Sequence, residues 1–431
     1  MAAKPPFNIA IIGGGLCGIS LAIALKARHI PFTIYEARSS FTEIGAGINV
    51  GPNGIKSLRA IDPSLGEKVY QLATRNPEPY QDVWMYFKYG ADCGEGRRDG
   101  ETIWTLMAPP TGTMTMHRQE FLAALAGEMG MENARFEKKL VGYEQGDGEV
   151  VMRFADGTEE RASLMVGCDG IHSRVRALMF GEGNPVSKAH FNHDGAYRAV
   201  IPIDKAIEAV GESARYVQCH LGPNGYFIMY PVNGGTNVNC GAWIQKPEPW
   251  EREEWLVPDQ GKQFQEDMKD WGERVHRVME YFDPNPIFWA QHSHKVQPDS
   301  FQRGRVILIG DGAHAMPPHN GAGASQAAED AYILSEVLIS LVRNGEPSDT
   351  DVKAALTAFE DVRRPRVDRA HRSSVNTGPE WYGFHERRLE GPELEEMIKS
   401  MHARFDWLWG VDIENEAQKA KDQLKELLAK L

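Results

Sequence analysis

The chain has 431 residues, 42% of them hydrophobic and 25% charged, with a net charge of −13 at pH 7. These values exclude one small domain and suit two interleaved ones of ordinary globular composition. They argue against nucleic acid and anionic membrane surfaces as partners, since no basic stripe is present to release counterions. No run approaches the ~18 apolar residues of a spanning helix. The opening MAAKPPFNIAIIGGG lacks a signal-peptide pattern, because its apolar run leads straight into a glycine turn. Cys17, Cys93, Cys168, Cys219 and Cys240 are scattered without metal-ligand spacing. Free thiols in a reducing cytoplasm, and no metal site, are therefore expected.

Phe7–Ile12 reads as a buried strand. It enters Gly13-Gly14-Gly15-Leu16-Cys17-Gly18 and then a helical pattern of Ile19, Ala22, Ile23 and Leu25. Gly13, Gly15 and Gly18 thus fit G-x-G-x-x-G in a strand–turn–helix context, with Leu16 and Cys17 inside the turn. A second run, Pro31–Tyr35, ends in Glu36-Ala37-Arg38, about 20 residues on, where an acid takes the ribose hydroxyls of an adenine dinucleotide. Glu36 favours an unphosphorylated ribose, hence FAD or NAD in this slot. The glycine-rich Gly45–Gly54, which includes Gly47, reads as a ligand-lining loop before a helix carrying Ile55, Leu58 and Ile61.

Within residues 76–105, DVWMYFKYG alternates as a strand does. His117-Arg118-Gln119 opens an amphipathic helix, and a planar guanidinium at that position suits a pyrophosphate. Ala134–Gly142 and Val150–Phe154 read as strands, with a hairpin turn at Asp156-Gly157. Leu164–Val166 runs into Cys168-Asp169-Gly170, a carboxylate at a strand's end, and Ser173 caps a short helix containing Arg176. From about residue 180 to 295 the runs Tyr197–Ile203, Arg215–Leu221, Tyr226–Val232 and Asn237–Ile244 predict an antiparallel sheet. Arg198 and Tyr230 are its pocket candidates, and Asp259–Phe282 is a helical insertion.

Val306–Ile309 is a third buried strand with Asp311 at its carboxyl end, followed by Pro317, Pro318, Gly321, Gly323 and a helix beginning near Ala324. Ligands of open α/β sheets bind at such strand ends. A carboxylate there accepts hydrogen bonds from polyol hydroxyls, and glycines let backbone N–H groups approach at a helix N-terminus. Val352–Arg372 reads as a helix in which Arg363-Arg364-Pro365-Arg366 is a solvated face and Pro365 a kink or break. RFDWLWGVDIENEAQ precedes an amphipathic helix with Leu424, Leu427, Leu428 and Leu431 aligned, expected to dock on the main body or on a partner chain.

The fingerprint with Glu36, the Cys168-Asp169-Gly170 turn and the Gly310-Asp311-Gly312 loop stand in an order that resembles the class A flavoprotein aromatic hydroxylases. These are single-component FAD monooxygenases with the p-hydroxybenzoate hydroxylase fold, and the resemblance covers almost the whole chain. It is most similar to the salicylate hydroxylase-like branch, through Gly45–Gly54, His117-Arg118 and HAMPPHNGAGASQAAEDAYIL, a pattern shared with fungal hydroxylases of polyketide-derived phenols. The implied fold is α/β: a Rossmann-like FAD-binding domain (1–75, 106–180, 296–375) interleaved with an antiparallel-sheet substrate domain (76–105, 181–295). A C-terminal helical segment (376–431) completes it.

The resemblance implies that Gly13, Gly15 and Gly18 hold the FAD pyrophosphate, Glu36 the adenosine ribose and Asp311 the ribityl chain. It places Arg118 on FAD, Asp169 in a motif tied to FAD and NAD(P)H, and Gly321, Gly323 and Ala324 at the flavin's pyrimidine edge. Pro317 and Pro318 border the flavin face where oxygen reacts. Arg198 matches an arginine that holds a phenolate, and Tyr230 sits in the matching Tyr-Pro-Val context. Ser325 departs from the family's usual glycine. FAD would be bound tightly and non-covalently, with NAD(P)H and O2 as transient co-substrates. No second dinucleotide fingerprint is present, so NAD(P)H would visit without its own domain. The expected reaction is hydroxylation of a phenolic acid, salicylate to catechol, or of a larger polyketide-derived phenol, by a monomer or homodimer. His314 and His319 are acid/base candidates, with structural imidazoles as the competing reading. A flavin oxidase or halogenase is a rival class, although Trp255-Leu256-Val257-Pro258 does not match the halogenase W-x-W-x-I-P. A non-catalytic interaction protein on the same fold is the other.

Overall fold

The computed structural model describes residues 6–41, 47–94, 96–343 and 345–431. Gly45 and Ala46 of the glycine-rich loop lie outside the described residues. The apolar tetrad Ile9–Ile12 is wholly buried and pairs in parallel with Phe32–Tyr35 on one side and Leu164–Gly167 on the other. Val306–Leu308 adds in parallel beyond Leu164–Gly167, with Gln302–Arg303 antiparallel at that edge and Ala134–Arg135 at the other. Burial on both faces explains why these strands read as continuous apolar runs rather than alternating ones. In this register Ile12 stands opposite both Tyr35 and Gly167, and Gly167 stands opposite Leu308. The turns that follow these four strands therefore open at one edge of the sheet. The helices Leu16–Ala27 and Gly323–Val342 share a core with it.

The second sheet has eight strands. In order they are Leu256–Val257, Phe288–Ser293, His190–Pro202, Asn237–Gln245, Gly225–Val232, Gln218–Gly222, Val83–Tyr89 and Thr102–Met107. It is mixed rather than purely antiparallel, because Gln218–Leu221 pairs in parallel with Tyr86–Tyr89. Parallel neighbours need a long crossover, and here a large part of the chain separates the two strands. The expected strand 134–142 is split: Ala134–Arg135 joins the first sheet, while Leu140–Gly146 starts a three-stranded meander with Glu149–Phe154 and Glu159–Ala162.

The expected break at Pro365 is absent. One helix, Asp349–Tyr382, opens on a Ser348–Asp351 capping box and runs through both Pro365 and Pro379, past residue 375. Arg363 and Arg366 are not a solvated face either; both are buried against carboxylates of the Gly323–Val342 helix. These ion pairs on either side of Pro365 hold the helix together across the missing N–H. The C-terminal helix Ile413–Leu428 docks on the main body, burying Ile413, Ala417, Ala420 and Leu424 in the first sheet's core. Among the described residues, no helix is long and apolar enough to cross a membrane.

Candidate functional site

Where the turns of the first sheet face the second sheet, a cavity of about 430 Å³ opens. Gly15, Leu16 and Cys17 line it from the fingerprint, Cys168 and Gly170 from the Asp-Gly turn, Gly47 from the strand Gly47–Asn49, and Arg118 from the helix start that follows its partner strand Thr115–His117. The loop after Val306–Leu308 adds Asp311, Pro317, Pro318, Gly321, Gly323 and Ala324, and the second sheet adds Arg198 and Tyr230. Sequence-selected residues from seven segments are thus brought to one place.

The turns are tight enough to dictate composition. Gly13 has φ +105°, and a Cβ there would lie 2.6 Å from the Cys168 carbonyl oxygen. Gly310, just before Asp311, has φ +58°, and a Cβ would lie 2.7 Å from Cys17 Sγ. The fingerprint turn therefore meets the first Asp-Gly turn through backbone and the second through the Cys17 side chain. Gly13→Ala combines positive-φ strain with a backbone clash, and that strain is expected to weaken FAD retention roughly tenfold or more, measured by titrating FAD into apoprotein.

Glu36 acts on the turn itself: its carboxylate accepts from the Gly14 amide (2.8 Å) and the Arg38 amide (2.8 Å). Glu36, Ala37, Arg38 and Gly18 lie outside the cavity lining. Asp169 also stands back from it, since its carboxylate accepts from the Ser173 hydroxyl (2.5 Å) and the Val175 amide (3.0 Å). Burial raises its pKa, and these hydrogen bonds oppose that rise. Asp311, by contrast, is exposed to the cavity. Burial lowers the Arg118 pKa, and Asp311 and Tyr230 act in the opposite direction.

Arg198 is held between the rings of Trp243 and Trp289, its guanidinium carbon 5.5 and 5.2 Å from their centroids. Among the described residues its buried Nε finds no hydrogen-bond partner. Burial lowers its pKa, with Tyr230 acting in the opposite direction. The Tyr230 hydroxyl is pushed up to about 12 by burial, against the pull of Arg198.

The two histidines part company. His314 does not line the cavity. It is buried beneath the loop with Nε2 2.7 Å from Asp330 Oδ2, the same oxygen that accepts from the Gly310 amide (2.9 Å). That is a supporting position for the turn before Asp311. His319 lines the cavity, with Nδ1 3.0 Å from the Tyr226 hydroxyl and Nε2 3.2 Å from Asp194 Oδ2. Asp194 Oδ2 also accepts from the Tyr382 hydroxyl (2.9 Å). Tyr226 and Asp194 gave no sequence signal, because they lie on strands far from His319 in the chain. Ser325, the departure from the family pattern, points away from the cavity and accepts from the Gly51 amide (3.1 Å).

The residues present fit a flavin dinucleotide. The fingerprint turn brings Gly15, Leu16 and Cys17 to the cavity, Asp311 offers acceptors to hydroxyls, and the backbone at Gly321 is open, with nothing within 4 Å of a built Cβ.

Comparison with known proteins agrees. The model of the FAD binding domain family matches residues 7–374. The chain is 34% identical to a salicylate hydroxylase of Pseudomonas putida over 98% of its own length and 96% of that protein's. It is 32% identical to a 6-methylsalicylate 1-monooxygenase of Aspergillus terreus, covering 98% and 93% of the two chains. A solved salicylate hydroxylase substrate complex superposes with a TM-score of 0.81 at 28% identity, covering 97% of this chain and 98% of that one. With a family match and relatives that span nearly all of it, the chain belongs to the FAD-binding-domain family of aromatic monooxygenases that includes the salicylate hydroxylases.

Proposed function

We propose that this enzyme uses NAD(P)H and O2 to hydroxylate a phenolic aromatic acid of the salicylate type, salicylate itself giving catechol. The observation that carries this reading is the position of Arg198. A cation with a free donor is held between two indoles in the cavity that also exposes Asp311 and the Pro317–Ala324 loop. The first sheet and its helices form the FAD-binding part in this reading, and the eight-stranded sheet forms the substrate part.

Gly13, Gly15 and Arg118 would hold the pyrophosphate, Asp311 the ribityl hydroxyls, and the backbone of Gly321, Gly323 and Ala324 the pyrimidine edge. Bound FAD supplies the hydride acceptor and the oxygen activation. The chain's own work is to orient the phenol, to remove its proton and to exclude water. Arg198 favours the phenolate by charge. Tyr230 and Asn239, opposite each other in the sheet, border the same space.

Proton removal falls to Tyr226 and His319. Asp194 accepts at His319 Nε2, which leaves Nδ1 to accept from the Tyr226 hydroxyl. Burial raises the Tyr226 pKa well above the ordinary tyrosine value, so its hydroxyl stays neutral and hands protons on. The substrate's phenolic proton passes to the Tyr226 oxygen as the Tyr226 proton moves to His319 Nδ1. Replacing His319 with Gln is expected to lower kcat by about 10²–10⁴, the usual worth of a positioned base. Raising the pH should restore part of the rate, because a free phenol ionises unaided near ~10. A pH-independent loss would argue against this role.

The test of the whole reading is oxidation of NADH and NADPH in air by purified holoenzyme, with and without salicylate, assaying catechol and hydrogen peroxide. Catechol equal to the NAD(P)H consumed supports it. Stimulation that yields mostly peroxide would make salicylate a mimic of a larger phenol, and absence of stimulation would remove the salicylate assignment.

A further inference from the structure

The floor of the cavity changes character across the second sheet. On the strands Phe288–Ser293, His190–Pro202 and Asn237–Gln245 the lining residues include Gln291, His292, Arg198 and Asn239. On the next three strands, Gly225–Val232, Gln218–Gly222 and Val83–Tyr89, Tyr226 and Tyr230 are the polar lining residues, and the rest are apolar: Ile228, the adjoining Val217, Trp84, Met85 and Phe87. Trp381 and Phe405, from helices Asp349–Tyr382 and Gly391–Trp409, close this second end. Arg198, Asn239, Gln291 and His292 supply the polar groups that a carboxylate and a phenol need, and the other end offers mainly apolar surface.

The apolar end is rigid. Phe87 stacks on Trp104 (centroids 4.0 Å apart, 8° between planes) and meets Trp381 edge-on at 5.2 Å. Trp409 packs against both Trp84 (4.9 Å) and Phe405 (4.8 Å). The end of the helix that carries Phe405 is pinned by Arg366, which donates to the Leu408 carbonyl (2.7 Å), and by Lys56, which donates to the Trp409 carbonyl (2.9 Å). A wall braced in this way does not collapse inward, so an apolar group entering it gains burial without reordering the protein.

Building on the hydroxylase reading, we propose that the apolar end is a subsite for a hydrophobic ring substituent, an alkyl chain or a second ring, and that Phe405 sets its length. The preferred substrate is then a phenolic acid carrying such a group, rather than unsubstituted salicylate.

The experiment uses holoenzyme and salicylates bearing linear alkyl chains, methyl to pentyl, at each open ring position. Kd is read from tryptophan quenching and from the flavin absorbance change, both independent of turnover. At one ring position Kd is expected to fall by about fourfold per added methylene, the worth of burying a CH₂ group. Ile228→Trp fills the subsite and should remove that gain, and Phe405→Leu should move the optimum to longer chains. A Kd that is flat or rising with chain length at every position overturns the proposal, as does a gain untouched by Ile228→Trp. If neither salicylate nor any alkylated form changes either signal, the phenolic-acid reading itself fails.

Discussion

Arg363→Ala is expected to destabilise the protein by about 3–5 kcal/mol, the cost of leaving buried charges without their partner. Arg363 donates to Glu329 Oε2 (2.5 Å), Asp330 Oδ1 (2.7 Å) and Gln326 Oε1 (2.8 Å), and both carboxylates are at most 1% exposed. Arg366 forks onto both oxygens of Glu329 (2.6 and 2.7 Å), which also accepts from Asn53 (2.7 Å). Without Arg363, Glu329 keeps a cation, whereas Asp330 keeps His314 and the Gly310 amide but no arginine. The variant should lose flavin at a lower temperature than the wild type, as followed by flavin fluorescence during heating. Because Asp330 also accepts from the Gly310 amide, the loosening should reach the Asp311 turn and weaken FAD affinity in the same variant.

The same network sets a pH dependence. Burial by itself raises the Asp330 pKa, but His314 and Arg363 outweigh it and bring the value from 3.8 down to about 2. A depressed folded-state pKa contributes stability that is complete above the unfolded value and lost as pH falls through the folded one. The wild type should therefore lose this contribution between about pH 4 and pH 2. In Arg363→Ala burial regains weight, so acid-induced flavin release should begin at a higher pH. Identical acid profiles for the two proteins would refute this assignment.

Arg198→Met should lower kcat/KM for the phenolic substrate by about 10²–10³, the usual effect of removing one preorganised charge from a dry site. Methionine keeps much of the side chain's bulk between Trp243 and Trp289, so the change is in charge and donors rather than in packing. The remaining activity should rise with pH, since the substrate must then ionise without help. Arg198→Lys should restore only part of the rate, because a compact ammonium does not fill the slot between two indoles as a planar guanidinium does. Measuring kcat/KM from about pH 6 to pH 10, across the range where a phenol ionises, distinguishes this from a packing defect, which would lower the whole profile without changing its slope.

Much of the site was legible in the sequence because its devices are local. The Gly13–Gly18 fingerprint, the Cys168-Asp169-Gly170 turn and the Gly310-Asp311 turn each state their requirements within a few residues: a buried strand, a glycine where φ is positive, a helix start. Because each follows a parallel strand, such turns converge at one edge whichever packing follows. The residues that line this end of the cavity, Asp311 among them, could thus be selected from local patterns, whereas Arg118, which follows an antiparallel strand, was singled out only through the family resemblance.

Other features were decided by packing between distant segments. Arg363 and Arg366 look like surface cations in sequence and become buried because their carboxylate partners, more than 30 residues earlier, lie on the helix they pack against. His319 gains Tyr226 and Asp194 as partners only because two strands of the second sheet pass beneath its loop. His314, close in sequence and equal in chemistry, is instead enclosed on Asp330. Trp381 and Phe405 reach the cavity because the long helix continues through Pro365 and turns the C-terminal helices back over the sheet. Local backbone demands are written in short stretches of residue types. The choice of which side chains meet across a cavity is written only in how whole elements pack, and here that choice determined the Tyr226–His319–Asp194 contacts and the aromatic lining of the cavity.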